Sequence, residues 1–344
     1  MHKMMISIAI LFGLIATSIQ PIESQDTAVI QLSWNSDGTK MARVTDDPLV
    51  NNSIAIEIVN FNNGEFYVLD TLNLSTFSEL VWSPTNPDLF AVSTHTPFTF
   101  LYNTSLEERV YVFESIANST ASISWSGDGE FIAVSGNGIS GAVLSSLNEA
   151  FSSVIEVWNI NNGTRINTFK FGGEQRLSRW KPHGDEILVA YNSRALALYS
   201  SITGDLIRAL PYNTDAFAVQ DFIWHPTQNW VAVLYNNWLD DIDHIIIWNT
   251  ETGEIVKDIA QDFAFLHEAI WSPDGGNLAV VDGNIVRIFN IVLATEVTSY
   301  SSANDPTYLD WHPMGGYIAY GSSGLSANIE AISITPVPTA TATP

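Results

Sequence analysis

The chain has 344 residues, no cysteine, 37 Asp+Glu against 13 Lys+Arg, and a formal net charge of -24. At 46% hydrophobic residues it is too apolar to be disordered. The missing cysteine excludes disulfides, thiolate metal sites and cysteine nucleophiles, and the acidity opposes any phosphate backbone, so nucleic acid is not expected as a partner. The length allows two domains of roughly 150 residues or one large all-β unit.

The first segment reads as an address. Lys3 precedes an apolar run, Met4–Ile15, of signal-peptide length, and Ala16-Thr17-Ser18 offers small residues for cleavage. Residues 1–18 are therefore expected to leave as a signal peptide, with Ser24 as the latest cut point. The product is expected to be secreted or held at the cell surface, with no integral membrane domain after cleavage. A lipoprotein anchor would require a cysteine.

Between residues 19 and 334 the sequence repeats. Trp34, Trp82, Trp125, Trp180, Trp224, Trp271 and Trp311 each end a short apolar stretch, spaced 48, 43, 55, 44, 47 and 40 residues apart. That gives about 46 residues per repeat, the signature of a repeat architecture. A turn follows each tryptophan, as in Ser126-Gly-Asp-Gly129, Ser272-Pro-Asp-Gly275 and His312-Pro-Met-Gly315. Pro presets φ at the second turn position and Gly is favoured at the fourth. A second strand carries Ala eight or nine residues after the tryptophan: Ala42, Ala91, Ala133, Ala232, Ala279 and Ala319, with Leu188 in the fourth repeat. A small residue at a fixed depth marks a place where neighbouring sheets approach closely. A third strand ends in pairs such as Tyr102-Asn103 and Trp158-Asn159. Gly64, Gly163, Gly204 and Gly253 then stand four residues past the polar member, where a hairpin calls for positive φ. Fourth strands follow, such as Arg165–Phe169 and Glu254–Ile259.

Ala269-Ile-Trp-Ser-Pro-Asp-Gly-Gly-Asn-Leu-Ala-Val280, continuing to Ile285–Asn290, and Ile245–Gly253 resemble the WD-repeat family. The resemblance covers about residues 26 to 334. It implies an all-β fold, a seven-bladed β-propeller of four-stranded antiparallel blades. The chain departs from the family in lacking its Gly-His pair and in carrying Asn or Ser after the blade tryptophans or their equivalents. The seventh repeat lacks an outermost strand: its strands are expected near Tyr308–Trp311, Tyr317–Gly321 and Ile329–Ile334. Spacing back from Trp34 places Ile19–Ser24 as that missing strand, with Pro21 tolerated on a free edge. Residues 335–344, rich in Pro, Thr and Ala, read as an extended tail or linker.

Insertions at Thr45–Ser53, Ser135–Ser153 and Asn236–Asp243 fall on one face of such a ring, where binding loops are usually placed. Trp238, Asp240, Asp241, Asp243, His244, His267 and Glu268 are the expected binding residues. Asp240, Asp243, His244 and Asp262 are candidate ligands for a divalent cation such as calcium; no other cofactor is expected. His183, His225 and His312 are read as solvated turn residues on the opposite face. Phe98, Phe100, Phe217, Phe263 and Phe265 are candidate aromatic contacts. Asn51, Asn73, Asn103, Asn118 and Asn162 begin glycosylation tripeptides. No nucleophile elbow, phosphate-cradling loop or zinc-protease helix occurs. The expected function is a monomeric, non-catalytic binding module for a protein, peptide or glycan. The alternatives are a carboxylate- or metal-dependent hydrolase or lyase, and one module of a larger surface protein.

Overall fold

The computed structural model describes residues 29–46, 53–73, 77–139, 153–172, 175–191, 195–210, 217–237, 242–261, 263–302, 306–321 and 327–331. Their strands form seven antiparallel sheets in which sequence neighbours pair. The first holds β1 (Val29–Trp34), β2 (Lys40–Asp46), β3 (Ile54–Asn60) and β4 (Phe66–Leu72); the second holds β5 (Phe77–Trp82), β6 (Leu89–Thr94), β7 (Phe98–Asn103) and β8 (Glu108–Glu114). The third holds β9 (Ala117–Trp125), β10 (Phe131–Ile139), β11 (Ser153–Asn159) and β12 (Arg165–Phe171); the fourth holds β13 (Gln175–Trp180), β14 (Glu186–Tyr191), β15 (Ala195–Ser200) and β16 (Leu206–Leu210). The fifth holds β17 (Phe217–Trp224), β18 (Trp230–Asn237), β19 (Asp243–Asn249) and β20 (Glu254–Gln261); the sixth holds β21 (Leu266–Trp271), β22 (Asn277–Asp282), β23 (Ile285–Asn290) and β24 (Thr295–Ser301). The last holds β25 (Tyr308–Trp311), β26 (Tyr317–Gly321) and β27 (Ala327–Ala331).

The described residues thus form six four-stranded blades rather than the seven expected, together with one three-stranded sheet between the sixth blade and the first. The third strand of that sheet is Ala327–Ala331, slightly earlier than the expected Ile329–Ile334. The segment expected to complete it, Ile19–Ser24, lies outside the described residues, as do the signal and the tail.

Hydrophobic patterning explains the radial order. Second and third strands are apolar on both faces and buried on both, as in Ile54–Val59. Fourth strands are largely exposed along their length, even where apolar, as at Phe66 and Leu206. The core lies between sheets, in seven clusters, one at each seam. Ala42 and Trp82 share one cluster, Ala91 and Trp125 the next, then Ala133 and Trp180, Leu188 and Trp224, Ala232 and Trp271, Ala279 and Trp311, and finally Ala319 and Trp34. Each small residue therefore leaves room for the indole of the following sheet. Four indole N–H groups also cross the seam to a backbone carbonyl of the preceding inner strand: Trp82 to Ser33 (2.9 Å), Trp125 to Val81 (3.2 Å), Trp224 to Arg179 (3.1 Å) and Trp271 to Ile223 (3.2 Å).

The turns after the tryptophans form as their composition predicts. The amides of Gly129 and Gly275 donate to Ser126 and Ser272 carbonyls at 2.9 and 2.8 Å, and both glycines have φ of 72°. His225 and His312 correct the expectation of solvated turn histidines: they are only 4% and 6% exposed. They accept turn amides as Ser83 Oγ does in the second repeat. Nδ1 of His225 accepts the amides of Thr227 (3.1 Å) and Gln228 (2.9 Å), leaving Nε2 to donate to the Gly275 carbonyl of the next sheet at 3.1 Å. His312 accepts from Met314 and donates to Gly38 in the same way, joining the last sheet to the first. Both rings are thereby held neutral, and burial lowers their pKa. His183 is exposed, as expected.

Candidate functional site

First strands line the axis of the ring, and their alternation dictates which side chains face it. One face of each carries the core residues, including the tryptophan; the other presents the residue three positions before that tryptophan. At this position stand Gln31, Glu79, Ser122, Leu177, Asp221, Glu268 and Tyr308. A first strand is the inner edge of its sheet, so its outward amides need acceptors from elsewhere. The side chains of the preceding sheet supply them. Gln31 Oε1 accepts the amide of Leu80 at 2.7 Å, Glu79 Oε2 that of Ile123 at 2.8 Å, and Ser122 Oγ that of Ser178 at 2.9 Å. Asp221 accepts from Ala269 at 3.4 Å, and Glu268 from Leu309.

Two seams have no acceptor at that position. Leu177 cannot accept, and the amide of Phe222 turns to its own neighbour Asp221. Tyr308 leaves the last seam to Asp310, whose Oδ2 accepts the Trp34 amide at 2.6 Å. Side chains therefore clasp six of the seven seams between the described inner strands, and carboxylates make four of those clasps.

These groups enclose a central cavity of about 420 Å³, to which all seven inner strands contribute. Its polar lining includes Glu79, Arg179, Asp221, His267 and Glu268. Arg179 Nη1 lies 3.0 Å from Glu79 Oε1, and the two side chains keep 20% and 13% of their surface exposed, so the cavity is reached by solvent. Burial, reinforced by Asp221 and Asp310, pushes Glu268 well above the usual carboxylate range. Burial also raises Asp221 and Asp310 to about 6, and it raises Glu79 despite Arg179 and the Ile123 amide. Burial alone would lower Arg179; Glu79, Asp221 and Glu268 outweigh it and hold the guanidinium charged.

The expected binding residues divide into three groups. Trp238, Asp240, Asp241 and Asp262 lie outside the described residues. Asp243 and His244 stand at the start of β19 and make bonds within the fold. Asp243 is 8% exposed and accepts the amides of Asn237 (2.9 Å) and Leu266, which ties the fifth sheet to the sixth. His244 Nδ1 lies 2.8 Å from Asp258 on β20. His267 and Glu268 alone reach the central cavity. There His267 Nε2 bonds the Pro306 carbonyl, and its ring stacks on the half-exposed Phe265 with centroids 5.6 Å apart. Among the described residues no three carboxylate or imidazole groups are placed to hold a metal ion.

The partners of Glu268, namely Glu79, Arg179 and Asp221, were missed by the sequence reading. A signal for Glu79 and Asp221 exists: in five of seven repeats the third residue before the tryptophan is polar.

No family model matches the chain, and no curated protein does. Among solved structures, 1682 chains match it, a number that shows how common the fold is and how little it selects a function. One is a chain of the crystal structure of the mitotic checkpoint complex. It is similar at a TM-score of 0.70 and 16% identity, over 88% of this chain and 89% of that one. At that identity the likeness shows the fold alone: a WD40-like β-propeller.

Proposed function

We propose that this chain is an exported, non-catalytic propeller that holds a protein or peptide partner over its central cavity, taking a basic side chain between Glu79, Asp221 and Glu268. The observation that carries this reading is the cavity itself, where carboxylates from separate sheets outnumber the lone Arg179. Its volume suits a side chain or a short peptide segment, and the net charge of -24 would draw a cationic segment toward it. Phe265 over His267 offers an apolar shelf nearby. A glycan ligand would make less use of buried negative charge. Of the candidates for the hydrolase alternative (Asp240, Asp243, His244, His267 and Glu268), Asp243 and His244 bond within the fold while His267 and Glu268 line the cavity.

In the same proposal the three-stranded sheet is the seventh blade, completed by Ile19–Ser24 once residues 1–18 are removed. In the other sheets the fourth strand ends two to six residues before the next first strand. The equivalent place before Val29 falls on those residues.

The test is a calorimetric titration with arginine- and lysine-containing peptides beside neutral peptides and glycans. Basic peptides should bind, and the double substitution Asp221→Asn with Glu268→Gln should weaken them at least tenfold. Binding that ignores the substitutions, or a preference for glycans, would contradict the reading.

A further inference from the structure

Four of the inter-sheet clasps combine two functions that pull against each other. Each carboxylate accepts an amide from the next sheet, and Glu79, Asp221 and Glu268 also share one cavity, with Asp310 close enough to Glu268 to repel it. Glu79, Asp221, Glu268 and Asp310 come from β5, β17, β21 and β25. Asp221 repels Glu79 and Glu268, and Glu268 in turn repels Asp310. Among the described side chains one guanidinium, Arg179 on β13, opposes this charge, and its close contact is with Glu79. The other described groups packed against the cluster are Gln31 and Ser33 on β1, Ser122 and Ser124 on β9, Tyr308 on β25, and His267, whose Nε2 bonds the Pro306 carbonyl. A neutral carboxylic acid keeps a carbonyl oxygen that accepts the same amide. Protonation therefore removes the repulsion and retains the clasp.

We propose that the inner carboxylates form a proton-tuned clasp, so that the ring closes more firmly in mildly acidic surroundings than in neutral ones. The geometry places this device at the seams of the fifth, sixth and last sheets, where Asp221, Glu268 and Asp310 bridge to Ala269, Leu309 and Trp34. It operates whether or not a ligand enters the cavity.

The sign follows from linkage. A carboxylate whose pKa is raised on folding, as Asp221 and Asp310 are to about 6, contributes stability below its unfolded value that is lost as the pH rises through 6. His225 and His312, at the opposite ends of the inner strands, act the other way: their lowered pKa values mean stability lost as the pH falls below the unfolded value. The variants must therefore separate the two.

The experiment is thermal unfolding of the full chain at pH 7 and pH 5, for the wild type, for Glu268→Gln, and for an exposed control pair, Asp205→Asn with Glu251→Gln. The wild type should melt several degrees higher at pH 5. Glu268→Gln should melt higher than wild type at pH 7 and shrink the difference between the two pH values, whereas the control pair should leave that difference unchanged. A wild type no more stable at pH 5, or a control that shrinks the difference as much as Glu268→Gln does, would overturn the proposal. Hydrogen exchange on the wild type gives a reading that needs no variant. Corrected for intrinsic rates, the amides of Ala269 and Leu309 should be better protected at pH 5; equal protection would also overturn it.

Discussion

Glu107 and Ala294 have φ of 55° and 53°, in the left-handed region that suits glycine. Both occupy the hairpin position where Gly64, Gly163, Gly204 and Gly253 stand in the other four-stranded sheets, with φ between 69° and 77°. The hairpin geometry is thus imposed by the sheet, and two repeats adopt it without the residue that makes it easy. A left-handed L-residue costs roughly 1–2 kcal/mol, part of which glycine gives back through its freer unfolded chain. Glu107 is exposed and packs in no core cluster, so Glu107→Gly should stabilise the protein by about 0.5–1 kcal/mol in urea unfolding; a loss of stability would show that the side chain matters more than the backbone. The four glycines were legible in the sequence because their spacing from the third strand is constant. The burial of His225 and His312 was not legible. In one dimension a histidine in a Pro-containing turn looks like a surface residue, and only the fold shows that Nδ1 replaces the serine oxygen while Nε2 reaches the next sheet.

At the scale of the strand, the period of the tryptophans and the small residue on each second strand made the architecture readable. Those two positions meet across every seam, so a constraint of packing is written twice per repeat. Ala279 and Trp311 share one seam, and Ala232 and Trp271 another. Trp271→Ala should cost about 3–5 kcal/mol as a large-to-small core substitution, and Ala279→Leu about 1–3 kcal/mol by overpacking. A smaller effect from Ala279→Leu than from the same change at an exposed position would mean that the sheets do not approach closely there. The inner clasps were harder to read. Alternation shows that one face of a first strand is polar but not that this face looks onto an axis shared with six other strands. Glu268 was singled out for its neighbourhood in the sequence, and the partners it meets come from repeats up to 189 residues away.

For the whole molecule, the seam between the last sheet and the first sets the conditions for closing the ring. It is bridged by Asp310 to the Trp34 amide and by His312 to the Gly38 carbonyl. It also leaves Trp34 Nε1 and the Tyr308 hydroxyl, both buried, without partners among the described residues. A fourth strand from Ile19–Ser24 would pair with the outer edge of β27 and lock this seam from the rim. N-terminal sequencing of exported protein should give a start at Ile19, and a start at Gln25 would remove that strand from the account. The acidic wall proposed to receive a partner is built by the inner strands, at Glu79, Asp221 and Glu268. The central claim is that this wall receives a basic side chain. A crystal structure of the protein with an arginine-containing peptide tests it most directly. The account predicts the guanidinium inside the ring, within hydrogen-bonding distance of Asp221 and Glu268. A peptide seated on the outer rim, with the central cavity empty, would contradict it.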